Sequence, residues 1–301
     1  MSITMSNETS PVAKGTLPSV PYPFTMPFYY ASLTNVGVFY AVPKERVAPY
    51  LKDTGLLPAL FNDKALVSFN FQLYSGQFAS GIDVPPEQWS SCGAAITQEL
   101  ELNIVAYPEK RKSQIEPISY QDYLENGDQT KLYGNHRVWV PCDADIAIAA
   151  GMQLFGEPKF KTSFKVNLAS QNPVRNNTPH YNPEWVSTWG FRVDDPTDSN
   201  QAIFTCVVNT AGLTPVPGNF SPITEYGTHD KQMIGCRWNI LQPMPTYFLN
   251  ESASQSVTLT MGTSSHPMKQ DMENLLSNVN PVAVRTYNSQ PAAIQSRAYY
   301  P

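Results

Sequence analysis

A mostly-β, α+β domain with a few short helices is the fold class that three features of the sequence predict. Prolines are numerous and scattered, 27 of them against 16 glycines in 301 residues. Each removes a backbone donor and clashes with the preceding helical turn, so bundles and coiled coils are excluded. Several short segments alternate apolar and polar side chains, the period of a strand with one buried face. Turn-forming residues separate these segments at short intervals. Residues 1–19 are small, polar and unpatterned and are expected to form a flexible arm. Residues 20–301 are expected to fold as one domain, long enough to bury a large core.

Taken in order, strands are expected at Leu33–Val42, Ala65–Tyr74 and Gln98–Tyr107. In the second, Leu66, Phe69, Phe71 and Leu73 partly alternate with polar neighbours. The third, QELELNIVAY, alternates through Leu100, Leu102 and Ile104, which sets Glu99, Glu101 and Asn103 on the opposite face. Further strands are expected at Arg137–Val140, Phe164–Leu168, Trp185–Val193, Ala202–Asn209, Arg237–Leu241 and Ser256–Met261. Three helices are expected. PKERVAPYL (43–51) opens on a proline; DADIAIAAGMQLFG (143–156) has Asp143 as its cap candidate and ends against Gly156 and Pro158; MKQDMENLLSN (268–278) is amphipathic. Two polar stretches, Pro108–Gly134 and Ser170–Glu184, are expected to be long loops.

Composition narrows the function. A net charge of −5 with only 20 basic residues argues against nucleic-acid binding, which needs concentrated positive charge. No apolar run is long enough for a transmembrane helix, and MSITMSNETSPVAKG lacks the pattern of a secretory signal, so a cytoplasmic location is expected. Cys92, Cys142, Cys206 and Cys236 lie far apart with no CxxC pair and are expected to be reduced and mostly buried. The sequon Asn219–Ser221 then carries no meaning. Charged residues are 15% of the chain, below the usual ~25%, which points to much surface being buried, either in one large core or between the subunits of a homo-oligomer.

Few residues are left to carry chemistry. His136, His180, His229 and His266 show no metal-ligand spacing, and GxSxG, GxGxxG and phosphate-loop patterns are absent, so neither a metal nor a cofactor is expected. Lys159 follows the small-residue helix in the run AAGMQLFGEPKFKTSF, flanked by Phe155, Phe160 and Phe164. Burial there would lower the lysine pKa and leave free amine to attack a carbonyl. On the local sequence alone an ordinary surface lysine in a turn is the commoner reading, because a single Pro-Lys is very common.

The order of segments adds a resemblance. The run from Gly134 to Lys161, GNHRVWVPCDADIAIAAGMQLFGEPKFK, resembles the stretch of the acetoacetate decarboxylase family that ends in its Schiff-base lysine. PYPF (21–24), Ala65–Phe69, Gln98-Glu99, CRWNIL (236–241) and the segment 271–294 are similar to further family segments in the same order. The resemblance implies a curved antiparallel sheet closed into a cone-like barrel, an interior substrate cavity and homo-oligomers. It maps the Schiff-base lysine onto Lys159 and the active-site glutamate onto Glu99, with Glu101 the alternative. It also implies Tyr29, Phe160, Gln153, Glu101 and Met152 as substrate-binding positions.

Three charged family features are missing. Pro27 stands where the family has its substrate-facing arginine, Phe160 replaces the second lysine, and Gly151-Met152-Gln153 replaces Gly-Arg-Glu. The expectation is therefore a Schiff-base lyase (decarboxylase, or aldolase or dehydratase) on a carbonyl compound larger and less charged than acetoacetate, and a poor acetoacetate decarboxylase. A non-catalytic small-molecule binding protein and a non-covalent cyclase or isomerase are the alternatives. Lys161, two residues on, is a second candidate for the reactive amine or for the missing second lysine.

Overall fold

A computed structural model describes residues 17–77, 93–128, 130–174, 182–218, 222–241, 244–289 and 293–301. Most of the N-terminal arm, Cys92, His180 and the Asn219–Ser221 sequon lie outside the described residues.

The chain opens with β1 (Phe28–Pro43), helix α1 (Lys44–Leu51), the short β2 (Leu56–Pro58) and β3 (Leu60–Phe61), then β4 (Lys64–Gln77) and β5 (Gly93–Pro108). Next come helix α2 (Tyr120–Asn126), β6 (Gly134–Cys142), helix α3 (Asp145–Phe155) and β7 (Lys159–Lys161). β8 (Phe164–Asn167), β9 (Ser170–Val174), β10 (Asn182–Val186), β11 (Thr188–Asp194) and β12 (Ala202–Asn209) follow. β13 (Val216–Gly218), β14 (Ile223–His229), β15 (Gln232–Ile240), β16 (Met244–Phe248), β17 (Val257–Met261), helix α4 (Pro267–Leu276), β18 (Pro281–Ser289) and β19 (Ala293–Gln295) complete the described order.

The three longest expected strands and all three expected helices are present. The two expected loops are not plain loops. The first holds a short 3₁₀ turn at 109–114 and α2, capped by the Ser119 side chain, and the second contains the β9–β10 hairpin. Asp143 does not cap α3. Ala144 occupies the cap, and Asp143 instead accepts from the Gln98 backbone N–H and side-chain amide at 2.8 and 3.0 Å. That pins the start of α3 to β5.

β1, β4, β5, β6, β14, β15 and β19 close a barrel, because β1 pairs with β19 near its start and with β4 along most of its length. The pairs around the ring are antiparallel apart from β6 with β14. A separate four-stranded sheet, β17-β12-β11-β8, covers one outer face.

That cover reverses the usual sense of alternation. Leu100, Leu102 and Ile104 of β5, with Val67, Phe69 and Phe71 of β4, face outward into a core shared with Phe191 and Phe204 of the second sheet. Ser68, Asn70 and Gln72 of β4 are on the other face, and Glu99, Glu101 and Asn103 of β5 meet them there, inside the ring. Since successive side chains on a strand point to opposite faces, burying the apolar set outside commits the polar set to the interior.

Helix α3 plugs one end of this interior. Its buried residues Ala147, Ala150, Gly151 and Leu154 recur at helical spacing and form one stripe. Gly156 ends it in the left-handed conformation, where a side chain would also overlap the backbone of Thr228.

Candidate active site

The β6–α3–β7 crossover returns the chain parallel to β6, so that Lys159 lies opposite Val140 at the barrel rim. Its side chain passes beneath α3 at Gly151. There a Cβ would overlap Lys159 Cε and the Glu157 carboxylate. The Lys159 ammonium donates to Glu99 Oε2 and lies 3.3 Å from Glu157 Oε2, with only 5% of its side chain exposed. Glu99 also accepts from Gln72 Nε2 at 2.8 Å and from the Tyr74 hydroxyl at 3.1 Å.

A second cation completes the cluster. Arg137 of β6 reaches Glu101 at 3.1 Å and Glu157 at 3.2 Å, and pairs with Glu225 of β14. Asn103 donates to Glu101 at 3.0 Å, and the Cys236 thiol donates to Glu225 at 3.4 Å. Glu157 thus bridges the two cations with its two oxygens. Four buried carboxylates face two buried cations, an excess of negative charge that burial opposes.

The titration shifts follow from this imbalance. Burial pushes Glu225 up to about 8, against the pull of Arg137. Burial also outweighs Lys159 and raises Glu99. At Glu101 burial acts upward too, but Arg137 and the hydrogen bonds from Asn103 and Arg137 hold it below the usual carboxylate range. Burial alone would pull Lys159 down, but Glu99 and Glu157 together push it above its ordinary value. The expectation of a depressed lysine pKa is therefore reversed, because the sequence does not reveal how many carboxylates surround the amine.

The folded state binds the Glu225 proton more tightly than the unfolded chain does. Between the ordinary glutamate value and about 8, stability therefore falls as pH rises. Relative to wild type, the melting temperature of Glu225→Gln is expected to gain as pH goes from about 5 to about 9. Thermal unfolding across that series checks it; a difference that does not vary with pH contradicts it.

Gly151→Ala tests the seat of the lysine. The added methyl must displace Lys159 or Glu157, and forcing extra volume into a packed site costs about 1–3 kcal/mol. The melting temperature should fall while the circular dichroism of the folded chain persists. An unchanged melting temperature would contradict it.

The other sequence-predicted positions separate. Glu101 sits in the charged cluster and lines the interior cavity. Phe160 points away from Lys159, as the strand period requires, and stacks on His266 and against Trp139 outside the barrel. Tyr29 is 53% exposed and Met152 is 54% exposed, with Gln153 exposed beside it on the outer face of α3. None of these three lies in the interior. Phe164 packs on Phe71 in the outer core, so the sequence-adjacent aromatics are not what shields the amine. Lys161 is 60% exposed and bonds Asp145 at 2.7 Å, because β7 has by then passed the rim and met the first turn of α3.

Sequence reasoning missed Arg137, Glu157 and Glu225. Glu157 stands two residues before Lys159, but nothing local distinguishes it from a surface glutamate. Arg137 and Glu225 come together only through the parallel pairing of β6 with β14. Among the described residues no group of His, Cys, Asp and Glu side chains is arranged to hold a metal ion, and no helix is long and apolar enough to cross a membrane. Cys142, Cys206 and Cys236 are free and buried.

Fold and site together define a closed β-barrel with a lysine–glutamate pair buried inside. Solved structures share this architecture along nearly the whole chain. An acetoacetate decarboxylase-like enzyme from Sphingomonas wittichii RW1 superposes with a TM-score of 0.57 at 13% identity, over 98% of this chain and 98% of that one. The enduracididine biosynthesis enzyme MppR, complexed with pyruvate, superposes at 0.56 and 12% identity over 99% and 96%. Acetoacetate decarboxylase from Legionella pneumophila subsp. pneumophila str. Philadelphia 1 does so at 0.54 and 8% over 95% and 93%. The chain has the acetoacetate decarboxylase-like fold. Its sequence matches no protein-family profile and no curated protein.

Proposed function

We propose that the chain is a Schiff-base-forming lyase acting on a carbonyl compound larger than acetoacetate. The observation that carries this reading is the Lys159 amine buried inside the barrel in hydrogen-bond contact with Glu99. Two carboxylates hold the amine as an ammonium, yet one of them, Glu99, is itself raised by burial. A proton shift along the existing hydrogen bond turns that charged pair into a neutral amine and a neutral acid, and burial, which opposes both charges, lowers the cost of the shift. The free amine then adds to the carbonyl carbon. Glu99 returns its proton to the departing hydroxyl, water leaves, and the iminium stands beside the regenerated carboxylate. The iminium accepts the electron pair released when a neighbouring carbon–carbon bond breaks. In a dehydration it accepts the pair of the neighbouring carbon–hydrogen bond as Glu99 takes the proton, and the enamine then expels a β-hydroxyl that leaves with its own pair and that proton as water.

MppR is described in complex with pyruvate and with a condensation product of pyruvate and imidazole 4-carboxaldehyde. It supports carbonyl compounds as the ligand class for a barrel of this shape. The expectation of a substrate less charged than acetoacetate rests on the charged features missing at positions 27, 151–153 and 160, and it stands beside the finding that another buried arginine, Arg285, lines the interior.

Borohydride reduction of the full chain with a panel of oxo compounds, read by intact mass, tests the proposal. A mass gain mapped to Lys159 supports it, and no adduct with any compound overturns it. One observation favours the non-covalent alternative, a binding protein or isomerase: the resting lysine is an ammonium held by two carboxylates. In that case ligand binding or turnover persists when the amine is removed.

A further inference from the structure

Two carboxylates hold the Lys159 amine, and the proton transfers described above use one of them, Glu99. Glu157 has no step of its own, yet its position is closely fixed. Its backbone N–H donates to the Gly151 carbonyl at 3.1 Å, and its carbonyl accepts from the Lys159 N–H at 2.9 Å. Its side chain shares the space beneath α3 with that of Lys159, where a Cβ on residue 151 would overlap both. Glu157 Oε2 then lies 3.3 Å from Lys159 Nζ, and Oε1 lies 3.2 Å from Arg137 Nη1.

The two carboxylates differ in what stands behind them. Glu99 is backed by neutral donors, the Gln72 amide at 2.8 Å and the Tyr74 hydroxyl at 3.1 Å. Glu157 is backed by Arg137, a guanidinium that does not give up its proton in proteins. Nearby positive charge favours the charged form of a carboxylate, and Glu157 has two cations where Glu99 has one. Burial meanwhile raises Glu99. The other titratable groups facing this pair are the Tyr30 and Tyr74 hydroxyls and the Cys142 and Cys236 thiols, which burial pushes up and keeps neutral. Glu101 and Glu225 gather on the far side of Arg137.

We propose that Glu157 is the counter-ion of the iminium, a carboxylate held in place by Arg137 that accepts the one N–H left on the Lys159 nitrogen while Glu99 moves protons on the substrate. The proposal rests on the Schiff-base reading and gives a role to a residue which that reading leaves idle. Of the three ammonium hydrogens, one passes to Glu99 and a second to the carbonyl oxygen as the amine adds. Both depart with that oxygen as water, and the third stays on the iminium nitrogen. A fixed negative charge beside that nitrogen favours the protonated imine, the form that draws electrons from the neighbouring bond. Arg137 acts through Glu157 and is a positioning residue.

The test uses the full chain with acetone, pyruvate and cyclohexanone, each trapped with two hydrides. Borohydride reduces imine and iminium alike, whereas cyanoborohydride near and above neutral pH reduces the iminium. The ratio of the two adduct yields by intact mass, from about pH 6 to about pH 10, follows protonation of the imine. In Glu157→Gln the borohydride adduct at Lys159 should persist, since Lys159 and Glu99 are intact. The ratio should fall off at lower pH than in wild type, with roughly tenfold less iminium at alkaline pH, the effect of removing an opposite charge a few ångströms away. An adduct with an unmoved ratio overturns the counter-ion and leaves the Schiff-base reading in place. No adduct with these probes or any other oxo compound overturns both. Should Glu157→Gln fail to fold, Glu157→Asp decides, because it draws the charge back by one methylene. A ratio that falls off at lower pH then supports the proposal, and an unmoved one overturns it.

Discussion

Lys159→Met is expected to abolish both the borohydride-trapped adduct and turnover, while the chain still folds. Methionine is unbranched and close to lysine in length, so it fills the same channel under Gly151. Removing the ammonium strips Glu99 of its charged partner, but burial already raises that carboxyl. It is expected to take up a proton instead of standing as an unpaired charge. Gln72 and Tyr74 remain to hold it. Near-ultraviolet circular dichroism checks the fold, and intact mass after reduction checks the adduct. An adduct that persists in Lys159→Met and maps to Lys161 would reassign the chemistry to an amine that is exposed and paired with Asp145.

Glu99→Gln is expected to separate adduct formation from turnover. The amide keeps the shape of the side chain but cannot carry the proton, so turnover should fall by ~10²–10⁴-fold, the usual worth of a positioned acid or base. The adduct should still accumulate at equilibrium, since Lys159 keeps its place beneath α3 beside Glu157. The pH dependence has a definite sign. Glu99 is the strongest of the groups that raise the lysine, so without it burial counts for more. The pH at which adduct forms most readily should move downward. Single-turnover trapping across a pH series measures both effects. Turnover within a few fold of wild type, with an unmoved profile, would show that Glu99 only seats the lysine.

Much of the architecture was legible locally. The alternation in QELELNIVAY placed Glu99 and Glu101 on one face, and the small-residue run before Gly156 and Pro158 placed a helix directly ahead of Lys159. Both patterns depend on neighbours a few residues apart, and the physics of a strand or helix face acts over the same range. Which face of β5 was inside did not follow from its sequence. The second sheet takes the apolar side and leaves the glutamates to the barrel interior.

The positions implied by the resemblance fall on different faces for the same reason. Met152 and Gln153 fall between Gly151 and Leu154 on α3, so helical spacing turns them outward once Gly151 faces the lysine. Tyr29 lies on the exposed side of β1, whereas Tyr30, one residue later, is buried against Tyr74 and Trp238. A shift of one residue along a strand reverses the side chain, and no composition or spacing reveals it.

The sequence by itself determined the strand-rich class, the helix before Lys159 and the shared face of Glu99 and Glu101, because these arise from short-range periodicity and from the stops imposed by proline and glycine. Only the tertiary structure decided that Lys159 and not Lys161 is buried, that Glu99 and Glu157 hold it while Arg137 ties Glu157 to Glu101 and Glu225, and that its charge is held rather than lost. Those outcomes depend on which strands close the ring and on how many carboxylates the closure brings within a few ångströms. Electrostatic energy in a dry interior is set by distance in space, to which sequence separation is no guide.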